Sequence, residues 1–290
     1  MSTEIYYFSG TGNSLHVAKE LQKRLPDTTL IPILGLVNSK TISTEGTTVG
    51  FVFPHYASSL PKIVRAFVEK LNVESAEYLF AIATRGGTET MAFREIDEIL
   101  RSKGRRLDSF CAITMPSGSE PLVKGYADRI TKQRILQLES EMLERLDSTR
   151  EIILHKEISR IRDTGDGTKT PSYMVPFLPL LRLLTPLLVR LGKLVETSFD
   201  LYQDKKCTGC GLCAEICLAD RIQMKGGFPV WQDTVRCHGC FACLNFCPLE
   251  SIQIRSKFYL KSYTFQNGRY HHPDITAKEI AAQKKVWNST

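Results

Sequence analysis

Eight of the nine cysteines fall into two blocks that share one spacing, Cys-x2-Cys-x2-Cys-x3-Cys. Three thiolates at that interval can bind one cubane [4Fe–4S] cluster from a single tight loop, and the fourth thiolate of such a run binds the neighbouring cluster. The spacing therefore predicts two clusters whose ligands are exchanged between the blocks. The first cluster would be bound by Cys207, Cys210, Cys213 and Cys247, and the second by Cys237, Cys240, Cys243 and Cys217.

Two other kinds of cysteine site compete with this interpretation. Disulfides belong to oxidising compartments, whereas the chain begins Met1-Ser2-Thr3-Glu4 and passes directly into a strand pattern without a signal peptide. Zinc is also bound by Cys-x2-Cys pairs, but its sites use two such pairs rather than a triple followed by a fourth cysteine. The spacing favours iron and sulfide, and we expect a cytoplasmic, reducing setting.

A second chemical feature lies near the start of the chain. The strand pattern Ile5-Tyr6-Tyr7-Phe8 leads into the turn Ser9-Gly10-Thr11-Gly12-Asn13-Ser14, and a helical pattern follows. A hydroxyl-rich turn at a helix N-terminus gathers N–H and O–H donors that suit a phosphate. The turn lacks the lysine of a nucleotide P-loop and the glycine spacing of a dinucleotide fold. We therefore expect a monophosphate such as that of FMN, held by neutral donors.

Buried strand patterns alternate with amphipathic helices through the first half of the chain. Strands are predicted at 48–53, 78–84 and 110–115, with helices after Pro61 and through Met91 to Leu100. Such alternation predicts an α/β fold with a parallel sheet covered on both faces. Ligands of these sheets bind beyond the carboxyl ends of the strands, where the loops 9–14, 54–59 and 84–88 would meet.

These features together resemble the flavodoxin-ferredoxin fusion proteins of anaerobic bacteria and archaea. The turn at residues 9–14 is similar to a flavodoxin phosphate loop, the cysteine blocks are similar to a bacterial two-cluster ferredoxin, and the segment 268–273 is part of the likeness. The resemblance implies a flavodoxin-like, doubly wound sheet of order 2-1-3-4-5 and a small α+β domain that binds both clusters. One departure is Leu218, which stands where proline usually follows the fourth cysteine, as Pro248 does in the second block.

The resemblance also implies which residues bind FMN. The phosphate would be held by Ser9, Thr11, Gly12, Asn13 and Ser14, and the flavin ring would be bordered by Pro54, His55, Tyr56, Thr84, Arg85, Gly86 and Gly87. Tyr56 would stack on the ring or only cap the sheet. His55 would serve proton transfer or remain a solvated loop residue, and Arg85 would stabilise the reduced flavin or carry surface charge.

We divide the chain into an FMN-binding domain at 1–165, a leucine-rich connection at 166–200, a two-cluster domain at 201–256 and a docking tail at 257–290. The leucine-rich residues 176–195 are too charged and too interrupted for a transmembrane helix, which leaves packing against the domains or contact with a membrane surface. The paired His271-His272 is expected to dock the tail rather than to bind a metal ion.

The formal charge of +7 does not by itself indicate nucleic-acid binding. Each oxidised cluster with four thiolates carries about −2, so two clusters and a flavin phosphate bring the loaded protein close to neutral. The basic residues are scattered, and no nucleic-acid motif is present.

The expected function is electron transfer between one-electron iron–sulfur carriers and a two-electron flavin, with ferredoxin or another redox protein as the partner. The alternative is an enzyme that reduces a small substrate at the flavin with electrons from the clusters, although no catalytic residue can be assigned. An interaction or sensing module with structural clusters would explain the cysteines but leave the phosphate turn without a role.

Overall fold

A computed structural model of the 290-residue chain describes residues 2–118, 122, 124, 131–160, 163, 199–257 and 261–285. The predicted connection at 166–200 lies outside the described residues except for its last two, so the expectation for residues 176–195 lies outside them as well. Within the described ranges, no helix has the length and apolar character needed to cross a membrane.

The first half of the chain contains seven strands: β1 (Thr3–Tyr7), β2 (Thr28–Pro32), β3 (Ile42–Ser43), β4 (Thr48–Pro54), β5 (Leu71–Asn72), β6 (Tyr78–Arg85) and β7 (Ser109–Thr114). Five of them form a parallel sheet of order β2-β1-β4-β6-β7, while β3 and β5 pair separately. If only the five strands of this sheet are numbered in chain order, their order in the sheet is 2-1-3-4-5. The α/β fold with a parallel sheet is confirmed.

The central strands β1, β4 and β6 of the sheet are buried over most of their length. All eight residues of β6 are buried, as its continuous apolar pattern predicts. Strands β4 and β6 approach closely because Gly50 leaves room for the Phe80 ring, which a methyl group at residue 50 would overlap. The central strands are thereby held in a fixed register beneath the loops at their carboxyl ends.

Four helices accompany the sheet: α1 (Asn13–Arg24), α2 (Lys62–Lys70), α3 (Ala92–Arg101) and α4 (Lys132–Leu154). The side chain of Thr131 caps α4 by accepting a hydrogen bond from the Arg134 amide. Helix α4 ends at Leu154, Lys156 adopts a positive φ of 51°, and the chain then returns beside β7. There the Phe110 amide donates to the Ser159 carbonyl at 3.0 Å.

The cysteine-rich part contains short elements: β8 (Leu201–Gln203), α5 (Leu212–Glu215), β9 (Ile222–Lys225), β10 (Phe228–Trp231), α6 (Ala242–Asn245) and β11 (Ile252–Ile254). Strand β9 pairs antiparallel with β10, and β8 with β11. The tail carries helix α7 (Ala277–Ala282), which begins with a capping box between Thr276 and Glu279.

Candidate functional site

The two cysteine blocks form two cavities, and each cavity is lined by cysteines from both blocks. The first cavity is bordered by Cys207, Cys210 and Cys213 of one block and by Cys247 of the other. The second cavity is bordered by Cys237, Cys240, Cys243 and Cys217. The structure therefore brings the eight cysteines together in the two exchanged sets that the spacing predicts, and no disulfide joins any of them.

The two blocks repeat the same backbone conformation 30 residues apart. Left-handed residues occur at corresponding places in the two blocks, namely Gly209 and Gly239, Gly211 and Phe241, and Asp220 and Glu250. These conformations wrap each loop around its cavity and start a short helix that carries the third cysteine. Phe241 adopts φ 54° without being glycine, which is costly for a bulky residue and indicates that its surroundings hold the loop in place.

Backbone amides point at the sulfur atoms in both blocks. The Arg221 amide donates to Cys217 Sγ at 3.3 Å, and the Ser251 amide donates to Cys247 Sγ at the same distance. Burial raises the pKa of the Cys240 thiol to about 12 and that of Cys213 to about 11. Buried thiols with such pKa values become good ligands only when a cation replaces their protons, because desolvation disfavours the free thiolate.

The two cavities differ in their exposure. The first set includes Cys210, which is exposed, whereas the second includes Cys243, which is buried. The second cavity also lies against the first half of the chain, since a methyl group at Gly10 would overlap the carbonyl oxygen of Cys240. The second cysteine set therefore touches the predicted phosphate turn, and the first set lies nearer to solvent.

The predicted phosphate turn stands at the carboxyl end of β1, as the sequence suggests. Gly12 has φ 98° and precedes α1 without a side-chain cap, so the first-turn amides have no capping side chain. Ser14 Oγ lies 2.7 Å from Thr84 Oγ1 and links this turn to the loop after β6. Ser9 Oγ is buried and has no hydrogen-bond partner among the described residues, so a polar ligand atom can be accommodated there.

The loop after β4 brings His55 and Tyr56 to the same edge of the sheet. The His55 amide donates to the Thr84 carbonyl at 3.0 Å. Burial, and then the positive charge of Arg85, lowers the pKa of His55 to about 4, so its imidazole is neutral at physiological pH. Within the described part of the chain, His55 Nδ1 is a second buried polar atom without a partner.

Tyr56 contacts the end of β1, and Arg85 differs from one of its two sequence expectations. Tyr56 packs edge-on to Phe8 with 6.4 Å between ring centroids, and its hydroxyl is buried without a partner in the described structure. Its pKa is raised first by burial and then by the nearby thiolate charges of Cys240 and Cys237. Arg85 is buried and forms an ion pair with Asp163 at 3.1 Å, so it is not a surface charge.

The tail covers the predicted phosphate turn. Gln283 is fully buried; its amide nitrogen donates to the Ser9 carbonyl at 2.8 Å, and its oxygen accepts from the Ser9 amide at 2.9 Å. The His272 amide donates to the Thr11 carbonyl at 2.8 Å, and the Tyr270 hydroxyl donates to Asn13 Oδ1 at 3.1 Å. These contacts fasten the tail to the turn.

A buried cluster of His16, Glu139 and His272 was not found from the sequence. Their nitrogen and carboxylate atoms lie within 4.8 Å of one another, and the two imidazole rings stack with centroids 3.7 Å apart. His16 Nε2 lies 2.7 Å and His272 Nε2 3.5 Å from the Glu139 carboxylate. His272 Nδ1 accepts a hydrogen bond from the Asp274 amide, so the proton of the neutral ring lies on Nε2. Stacked imidazole rings also do not direct two lone pairs at one metal ion. We therefore interpret the cluster as a hydrogen-bonded clamp.

No family model and no curated protein matches the sequence. Among solved structures, the chain is similar to an FMN-dependent NADH-azoreductase from Bacillus anthracis in complex with FMN, at 8% identity and a TM-score of 0.35, over 52% of this chain and 98% of the azoreductase. It is also similar to the apo form of the NADH:FMN oxidoreductase EMOB, at 14% identity and a TM-score of 0.32, over 60% of this chain and 99% of that protein. Likenesses this low assign neither family nor ligand.

Proposed function

We propose that the protein transfers electrons between two [4Fe–4S] clusters and an FMN, as a converter between one-electron and two-electron carriers. The observation that carries the proposal is the pair of cavities, each lined by four unpaired thiols drawn from both blocks. Four thiolates and surrounding backbone amides are the environment in which such clusters are bound. When bound, each cluster supplies one electron at a time, and the chain's cysteines fix its place and its solvent exposure.

Disulfides and zinc fit these cavities less well. Each set combines three cysteines of one loop with a single distant cysteine, whereas zinc sites are built from two Cys-x2-Cys pairs. Left-handed glycines beside the thiols let the backbone approach the sulfur atoms, as at Gly239, whose amide donates to Cys237 Sγ at 3.4 Å. The environment suits a bulky inorganic group with several sulfur acceptors.

The fit of FMN rests on the loops at the carboxyl ends of β1, β4 and β6. Ser9 Oγ and His55 Nδ1 are buried polar atoms for which the described residues provide no partner, and the α1 N-terminus presents uncapped amides beside Ser9. Helix N-termini of this kind bind phosphate through N–H groups and the helix dipole. The FMN phosphate would be held by the turn at 9–14, and the ring would lie towards His55 and the second cysteine set.

The cluster assignment is tested by iron, sulfide and EPR analysis of the anaerobically purified chain. Two clusters require roughly eight iron and eight sulfide per chain. Cys207→Ser and Cys247→Ser should perturb the same EPR signal although they lie in different blocks, and Cys217→Ser should perturb the signal that Cys237→Ser perturbs. Zinc without sulfide would refute the clusters. If Cys217→Ser perturbed the signal that Cys207→Ser perturbs, the exchanged ligand sets would be refuted.

The flavin assignment has its own matched pair of variants. Ser9→Ala removes a hydroxyl that has no partner among the described residues, so we expect flavin loss while the unfolding midpoint of the flavin-free protein stays unchanged. Ser14→Ala removes the 2.7 Å contact with Thr84 and should lower the midpoint as well. The readouts are flavin fluorescence after denaturation and thermal unfolding. Full flavin retention in Ser9→Ala would contradict our placement of the phosphate.

A further inference from the structure

The second cavity is surrounded by buried hydrogen-bond donors that have no acceptor in the described structure. Arg221 and Trp231 both line this cavity. Arg221 Nη1 and Trp231 Nε1 are buried, and no described residue accepts a hydrogen bond from either atom. The other guanidinium nitrogens are held, since Nε donates to the Gln232 carbonyl at 3.0 Å and Nη2 lies 3.6 Å from Asp233. Arg221 Nη1 can therefore donate to a group other than the described residues.

Tyr56 brings a third unmatched donor to the neighbourhood of this cavity from the first half of the chain. Its hydroxyl is buried and has no hydrogen-bond partner among the described residues. Phe8 lies edge-on to both the Tyr56 ring and the ring of His238, which borders the second cavity, at centroid distances of 6.4 and 6.1 Å. Phe8 therefore connects the Tyr56 ring to the rim of the second cavity.

The first cavity has no comparable set of donors. No residue that lines it contributes a buried side-chain nitrogen or oxygen without a partner in the described ranges. The Ser251 hydroxyl lies 3.2 Å from Cys247 Sγ in this cavity. The backbone repeats between the two blocks, so the difference lies in the side chains. Buried polar groups are almost always hydrogen-bonded, so the two unmatched donors that line the second cavity indicate an acceptor there.

We propose that Arg221, Trp231 and Tyr56 donate hydrogen bonds to the sulfur atoms of the second cluster and thereby raise its reduction potential. This inference rests on the proposed function and adds a difference between its two clusters. Reduction adds one negative charge to the cluster, and donors aimed at the sulfur atoms stabilise the reduced state more than the oxidised state. The guanidinium adds a full positive charge, which acts in the same direction.

The experiment is an anaerobic redox titration of the full chain followed by EPR, with Cys207→Ser and Cys237→Ser used to assign the two signals. In Trp231→Phe, Tyr56→Phe and Arg221→Gln the midpoint of the second cluster should fall while that of the first stays unchanged. We expect Arg221→Gln to have the largest effect, at least tenfold in the one-electron equilibrium constant, which corresponds to about 59 mV. Tyr202→Phe removes a tyrosine hydroxyl from β8 in the same part of the chain and should leave both midpoints unchanged.

Arg221 also binds the backbone of Gln232, so its replacement can impair folding. If Arg221→Gln does not accumulate, Trp231→Phe and Tyr56→Phe alone decide the test. The proposal is overturned if both variants retain two clusters with unmoved midpoints, or if Tyr56→Phe shifts the flavin midpoint instead of the second cluster. A wild-type chain without iron and sulfide would refute the proposed function, which is a different and separately visible failure.

Discussion

Replacing Glu139 should loosen the tail, because one carboxylate holds two buried imidazoles from distant parts of the chain. Hydrogen bonds from His16 and then from His272 lower the pKa of Glu139 from 4.5 to about 2. The full shift corresponds to about 3 kcal/mol, at roughly 1.4 kcal/mol per pKa unit. The Glu139 side chain is 29% exposed, so screening by water reduces this figure, and we expect Glu139→Gln to weaken tail docking by about 1–2 kcal/mol.

Hydrogen exchange measured by mass spectrometry reports this loss locally. The His272 amide is protected by its bond to the Thr11 carbonyl, and a loss of 1–2 kcal/mol would speed exchange through local opening roughly 5- to 30-fold. Glu141→Gln is the matched control, because Glu141 lies on the same helix and makes only exposed contacts. Equal protection of the tail in Glu139→Gln and the wild type would refute the clamp.

The pH dependence of the clamp follows from the sign of the shift. The folded pKa of Glu139 lies below its unfolded value, so its stabilisation is complete above about pH 4.5 and is lost as the pH falls through about 2. The difference in the stability of tail docking between the wild type and Glu139→Gln should therefore stay constant between about pH 6 and 8. A difference that vanished within that range would point to histidine titration instead.

Two further predictions concern stability in denaturant. Gln283→Leu leaves the buried amide and carbonyl of Ser9 unpaired and should lower the free energy of unfolding by about 2–3 kcal/mol. Gln283→Glu keeps an acceptor for the Ser9 amide but buries a carboxyl group against the Ser9 carbonyl, so it should lower the free energy of unfolding as well. Gly50→Ala forces a methyl group into the Phe80 ring and should cost about 1–3 kcal/mol, more than Gly104→Ala, whose added methyl meets open space and adds only left-handed strain of about 1 kcal/mol. An equal cost for the two alanine variants would contradict the close approach of β4 and β6.

The local structural features of this chain were predictable from the sequence because short spacings encode them. Strand β6 is a continuous apolar run, and the cysteines recur at intervals of three and four residues within each block. The predicted turn at residues 9–14 also stands at a strand end before a helix. These features depend on neighbouring residues, so no knowledge of the tertiary arrangement was needed to find them.

The contacts of the tail could not be predicted in the same way. Gln283 meets Ser9 across 274 positions, and Glu139 meets His16 across 123, with no periodic pattern to link them. The one local hint was His16 itself, a titratable residue flanked by the buried Leu15 and Val17. A buried histidine requires a partner, but the identity of that partner depends on how helices α1 and α4 and the tail pack together.

The contrast between the two cavities gives the proposed route a direction in space. Cys210 of the first set is exposed, so the proposed first cluster would be open to a protein partner. The second set touches Gly10 of the predicted phosphate turn, so the proposed second cluster would be the nearer of the two to the predicted flavin. Donors that raise the potential of the inner cluster would draw an electron from the surface towards the flavin loops. If the midpoint of the second cluster falls in Trp231→Phe and Tyr56→Phe, electron transfer from the first cluster to the flavin should be slower in these two variants. The second cluster is the intermediate site, and a lower midpoint makes it a less favourable place for the electron.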